Sequence, residues 1–206
     1  MRGFLFGVAA TLSLAACGAG RPQDATEPSG SFPVAITRAT FPASQRLAER
    51  TKLVITVRNA GPETIPDIAV TITNPSYGTS VQAFATYLRT AGLANHSRPV
   101  WVVDRPPGPC RYSCGHDGPG AAATAYSDTW ALGALAPGRT ASFEWTLTAV
   151  QAGTYKVRYQ VAAGLGGQAR AVLLDGAEPV GTFTVTVQSA PPLVSINKSG
   201  QVVTTP

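Results

Sequence analysis

The residues of this chain with the most chemistry in them stand in one loop, Cys110-Arg111-Tyr112-Ser113-Cys114-Gly115-His116. Two thiols at this spacing, with an imidazole just beyond, can do one of two things. In an oxidising compartment Cys110 and Cys114 close a disulfide, with a small loop-closure gain because the ring is short. As thiolates they form a soft metal site with His116, and with His96 as a further donor, suited to copper or zinc. The disulfide is the reading adopted, with no metal and no cofactor. The alternative is an extracytoplasmic metal-handling or thiol-redox accessory protein that uses Cys110, Cys114 and His116.

The C-x3-C-G string resembles part of the binuclear copper loop of cupredoxin-type oxidase subunits. That loop wants a histidine four residues after the second cysteine, where this chain has Gly118, and a methionine beyond it, whereas the sole methionine here is Met1. Gly164-Leu165-Gly166-Gly167-Gln168-Ala169 matches a loose dinucleotide glycine pattern by letters. Pyrophosphate binding needs a helix N-terminus after those glycines, and Arg170–Leu174 reads as a strand, so the segment is expected to be a hairpin turn. The spacings G-x-S-x-G and H-E-x-x-H are missing, as are P-loop and calcium-loop patterns, and the acidic residues are spread out. No catalytic residue is named and the chain is read as a non-enzyme.

Cys17 carries a different chemistry. Met1-Arg2 and the apolar run Phe4–Leu14 form a charged n-region and an h-region too short to span a bilayer comfortably, ending in Leu14-Ala15-Ala16-Cys17. This string resembles the bacterial lipobox. The resemblance implies a signal peptide over 1–16, lipid on Cys17, and an extracytoplasmic protein anchored to the bacterial cell membrane. Removing Arg2 lowers the net charge from +5 to +4, and Arg58, Arg98, Arg139 and Arg170 are scattered, not striped. That excludes a nucleic-acid reader by composition, and leaves membrane lipid through Cys17 and an envelope protein or wall glycan as expected partners. Residues 17–31 lack apolar periodicity and carry Gly, Pro, Ser and charge, which reads as a lipidated flexible tether.

The elements that must position these groups are strands. In Ala136–Val161, Phe143, Trp145 and Leu147 alternate with polar residues, and after Gln151–Gly153 so do Tyr155, Val157, Tyr159 and Val161. Period-2 patterning marks strands with one buried and one wet face, and the short glycine turn between them predicts a hairpin. Thr51–Arg58 and Ile68–Ile72, around the turn at Asn59–Glu63, predict a second hairpin. Phe32–Thr37 reads as an edge strand that tolerates Pro33. Thr129–Leu135, Ala169–Leu174 and Gly181–Gln188 complete an all-β set with no amphipathic run long enough for a helix. Residues 32–188 are therefore expected to form an immunoglobulin-like antiparallel β-sandwich with a long inserted loop region at 74–128, followed by a partly ordered tail at 189–206.

Gly153-Thr154-Tyr155-Lys156-Val157 resembles the tyrosine-corner string of immunoglobulin-like domains, which implies a hydroxyl of Tyr155 bonded to backbone. Leu53–Pro62 (LVITVRNAGP) and Leu132–Thr140 (LGALAPGRT) are similar to the turn motifs of bacterial conserved-repeat and CARDB-like immunoglobulin-like domains. The resemblance covers about 47–75 and 129–188. It implies a fold and an envelope setting, and no catalytic residue.

A connection this long inside a compact domain is either functional or disordered, and the insert is the expected partner surface. Its rings, Tyr77, Trp101, Tyr112 and Tyr126 above all, are of the kind that anchors interfaces or sugars. The plainer role for the same rings is to pack the insert onto the sandwich.

Overall fold

The computed structural model describes residues 26–75, 82–89, 91–108 and 122–205. Among them every regular element is a strand: β1 (Gly30–Thr40), β2 (Ser44–Arg46), β3 (Arg50–Asn59), β4 (Ala69–Thr73), β5 (Ala85–Tyr87), β6 (Ser97–Pro99), β7 (Trp101–Arg105), β8 (Thr129–Ala131), β9 (Thr140–Ala149), β10 (Gly153–Ala162), β11 (Ala169–Val172), β12 (Val180–Gln188), β13 (Leu193–Ile196) and β14 (Val202–Thr205). Two five-stranded sheets, β11-β1-β3-β9-β7 and β2-β12-β10-β4-β8, pack face to face, and β5–β6 and β13–β14 form two small antiparallel pairs. The fold is the all-β, immunoglobulin-like sandwich that the alternation predicts. Its two parallel pairings, β1 with β11 and β12 with β2, both lie at sheet edges.

The core follows from the alternation. Leu53, Ile55 and Val57 of β3 and Phe143, Trp145 and Leu147 of β9 are fully buried, and they face Val70, Ile72, Val157 and Val185 of the other sheet in one cluster. Burial of each large side chain stabilises the fold by roughly 1.5–3 kcal/mol.

Three connections differ from the sequence reading. β9 pairs with β3 and β7, whereas β10 pairs with β12 and β4, so the expected β9–β10 hairpin is instead a crossing from one sheet to the other. The same correction applies to β3 and β4, which lie in opposite sheets, and to the glycine segment 164–168, which carries the chain from β10 to β11 on the far sheet. Period-2 alternation fixes which face of a strand is buried and says nothing of which neighbour it pairs with. β1 also differs from a simple edge strand. Gly30–Pro33 pairs only with β11 and Val34–Thr40 only with β3, so Pro33 sits where the strand changes partner.

The corner expected at Tyr155 is present, with its hydroxyl donating to Ala152 O at 2.7 Å. The two turn motifs quoted above are bound to one another through Asn59. Its side-chain amide, buried in the core, donates to Glu63 O at 2.7 Å and to Leu135 O at 2.8 Å, while Oδ1 accepts the Gly61 amide at 3.0 Å. Backbone bonds from Asn59 N to Arg139 O and from Gly138 N to Asn59 O complete the junction.

Candidate functional site

The insert is joined to the sandwich rather than merely laid against it. Its last strand among the described residues, β7, extends the first sheet by pairing with β9 from Trp101↔Ala149 to Val103↔Leu147, with an irregularity before Arg105. Asp104, at that irregularity, accepts Thr148 Oγ1 at 2.6 Å and Arg50 Nε at 3.2 Å. β5 and β6 pair alongside, and Phe84 O accepts the amides of both Val100 and Trp101.

Trp101 is the anchor. It is 2% exposed, its ring meets Phe41 at 5.4 Å and Tyr155 at 5.6 Å, and its Nε1 donates to Gln45 Oε1 at 2.7 Å. Trp101 is thus corrected from partner surface to core: its indole is large enough to fill the sandwich end and finds a buried acceptor for its one polar atom.

Beside it a hollow of about 320 Å³ opens, lined by Phe84, Pro99, Trp101, Val103, Asp128 and Trp130. Trp130 links the hollow to the core, lying 6.4 Å from Phe84 and edge-on to Trp145 at 5.2 Å and 88°. Asp128 holds the left-handed conformation at φ 57°, a strained state for a residue other than glycine. Burial raises its carboxyl above the ordinary 3.8, and the amide of Ala83, which bonds the carboxylate, partly opposes that shift. Val102, which also lines the hollow, is 45% exposed, and Tyr87 and Tyr126 of the insert are exposed at 37% and 44%. An aromatic floor, an apolar rim and one carboxylate suit a partner with apolar or sugar-ring faces and a hydrogen-bond donor.

Of the residues singled out from sequence, Trp101 lines this hollow and Tyr126 is exposed. Cys17, Tyr77, Cys110, Tyr112, Cys114 and His116 lie outside the described residues. His96 packs its ring 5.6 Å from Tyr87. Among the described residues no cluster of three or more His, Cys, Asp or Glu side chains could hold a metal. Phe84 was visible as an aromatic of the insert, whereas Asp128 and Trp130 were not singled out. Asp128 has no sequence signal beyond a polar residue before a strand.

No protein-family model matches the sequence, and no curated protein matches it. Among solved structures the chain is similar to Escherichia coli alpha-2-macroglobulin from domain MG7 to the C-terminus, with 13% identity, a TM-score of 0.43 and 78% of this chain covered. The chain spans 17% of that structure's length. It is also similar to the CARDB domain of the PF1109 protein from Pyrococcus furiosus, solved in complex with di-metal ions, at 15% identity and a TM-score of 0.42, covering 77% of this chain and 96% of that one. A third likeness is to the ASH/PapD-like domain 7 of human CEP192, at 12% identity and a TM-score of 0.37, covering 89% and 100%.

Proposed function

We propose that this chain is a non-enzymatic envelope lipoprotein, lipid-anchored through Cys17, whose immunoglobulin-like domain serves adhesion, scaffolding or the binding of envelope components through its insert. The observation that carries this reading is how the insert is built. β7 and Trp101 tie it to the core, while Val102 stands exposed on the hollow lined by Phe84 and Trp130, and Tyr87 and Tyr126 of the same insert are exposed. Rigid aromatic and aliphatic side chains held at a surface present contact area at little entropic cost, which is what recognition of a protein or glycan needs. Asp128 supplies a carboxylate at the same place.

Two measurements test the reading. Cys17→Ala is expected to move the protein from the membrane to the soluble extracytoplasmic fraction; retention on membranes after a carbonate wash overturns the anchoring. A photo-crosslinking residue at Tyr126 or Val102 is expected to trap an envelope component in cells, whereas one at Arg170, on the opposite edge of the same sheet, is not. Equal yields from the two edges overturn the assignment of the insert as the binding face.

A further inference from the structure

The glycine segment at 164–169 has a ligand of its own. Both carboxylate oxygens of Glu27 are held by its backbone: Oε2 accepts the Gly166 amide at 2.5 Å and Oε1 accepts the Ala169 amide at 2.6 Å. The contacts continue along the chain, with Ser29 Oγ donating to Gln168 Oε1 at 3.0 Å and the Gly30 amide to Gln168 O at 3.1 Å. From there the parallel ladder of β1 with β11 takes over, Gly30↔Ala169 to Pro33↔Val172. Residues 27–33 therefore run along the loop and its following strand as one strap, with the carboxylate at its leading end.

The loop is shaped for that carboxylate. A side chain at Gly164 would collide with the Glu27 carboxyl group, so the close approach requires glycine. Glu27 lies in a hollow of about 260 Å³ whose other wall is Pro66 and Asp67. Asp67 opposes the arrangement, because its carboxylate repels that of Glu27. Asp67 is itself tied to the Gly133 amide at 2.9 Å. Two charge-assisted bonds from fixed backbone donors outweigh one repulsion between partly solvated groups. Pro28, directly after Glu27, restricts Glu27 to extended conformations and narrows the ways the segment can leave the loop.

We propose that the 164–169 loop is a carboxylate-binding site whose resident ligand is Glu27, and that this contact clamps the N-terminal segment to the flank of the sandwich. The consequence for anchoring rests on the lipoprotein reading above. The stretch between Cys17 and the clamp is then residues 17–26, a maximum reach of roughly 30 Å, instead of one that runs to the first core strand. The domain is then tethered by the end that carries the 164–169 loop and Asp67, which limits its distance from the membrane.

Amide exchange of the full chain, purified in detergent, tests the clamp without reference to membranes. The Gly166 and Ala169 amides are expected to exchange at least about tenfold faster in Glu27→Ala and Glu27→Gln than in the parent, with the β10–β12 ladder unchanged. Asp67→Asn, which removes the repulsion and keeps an acceptor for Gly133, is expected to slow both amides. Unchanged rates in all three variants overturn the proposal. Protection that disappears on dilution means that the carboxylate comes from a second copy, which overturns it equally. If Cys17→Ala leaves the protein on membranes while these rates change as expected, the anchoring reading fails and the clamp stands.

Discussion

The indole Nε1 of Trp101, on the edge strand of one sheet, donates to Oε1 of Gln45, on the edge strand of the other, at 2.7 Å. Gln45 is 1% exposed and its own Nε2 donates to Pro42 O at 2.9 Å. The bond closes one end of the sandwich and, because Trp101 begins β7, locks the insert to the core. Gln45→Ala leaves the indole N–H and Pro42 O without their partner, so a loss of about 1–3 kcal/mol is expected. Trp101→Phe keeps most of the ring contacts with Phe41 and Tyr155 and orphans Gln45 Oε1 instead, and a loss in the same range is expected. Denaturant midpoints check both, and a midpoint unchanged in either variant refutes the role given to the pair.

Asn59 is the junction of the two turn motifs, and it is satisfied at three bonds. Its amide faces two carbonyls, Glu63 O and Leu135 O, so chemistry at this position has a sign. Asn59→Ala is expected to cost about 2–3 kcal/mol through unpaired buried carbonyls. Asn59→Asp, nearly the same shape, places a carboxylate against those carbonyls and is expected to cost more than the alanine variant. Thermal or urea unfolding of the two variants side by side reads the order directly.

How much of this was legible beforehand differs between strands and sites. Inward positions such as Leu53, Ile55, Phe143 and Val185 are visible because burial imposes a period of two, and the Tyr155 corner is visible because its bond is local in sequence. Sheet membership was not, since β9 and β10 carry the same alternation whether they pair with each other or face each other across the core. Trp101 was misread because an aromatic in a long insert has the same letters whether it points outward or closes the core. Val54 falls between the inward residues Leu53 and Ile55, on the face that alternation makes the wet one, and is nevertheless buried. Glu27 bears on residues more than a hundred positions away, a contact that a stretch of tether composition does not announce.

Asp128 makes stability depend on pH in a direction opposite to that of an ion-paired carboxylate. Burial raises its folded-state pKa above the ordinary 3.8, so between the two values the folded protein binds more protons than the unfolded chain. Stability from this group therefore falls as pH rises through that window and is recovered as pH drops back toward 3.8. Asp67, raised first by burial and further by Glu27, adds to the same trend. Asp128→Asn retains an oxygen for the Ala83 amide and removes the buried charge. Its unfolding temperature is expected to exceed the parent's at pH 7 and to converge with it near pH 3.5. A difference that is constant across this range refutes the assignment to Asp128.

The thiol pair is addressed by mass. Cys110 and Cys114 are expected to form a disulfide when the protein is purified from an oxidising compartment, so the intact chain should weigh two protons less than its reduced form and carry no stoichiometric metal. The Cys110–Cys114 ring is too short to add much stability, because loop-closure entropy grows with the number of residues enclosed. Reduction should accordingly shift the unfolding midpoint little. If native protein instead holds stoichiometric copper or zinc with both thiols unpaired, and Cys110→Ser or His116→Ala releases it, then the loop is a metal centre. The binding role proposed for the insert would then give way to metal handling, since thiolate and imidazole donors would have a chemistry that a structural staple does not need.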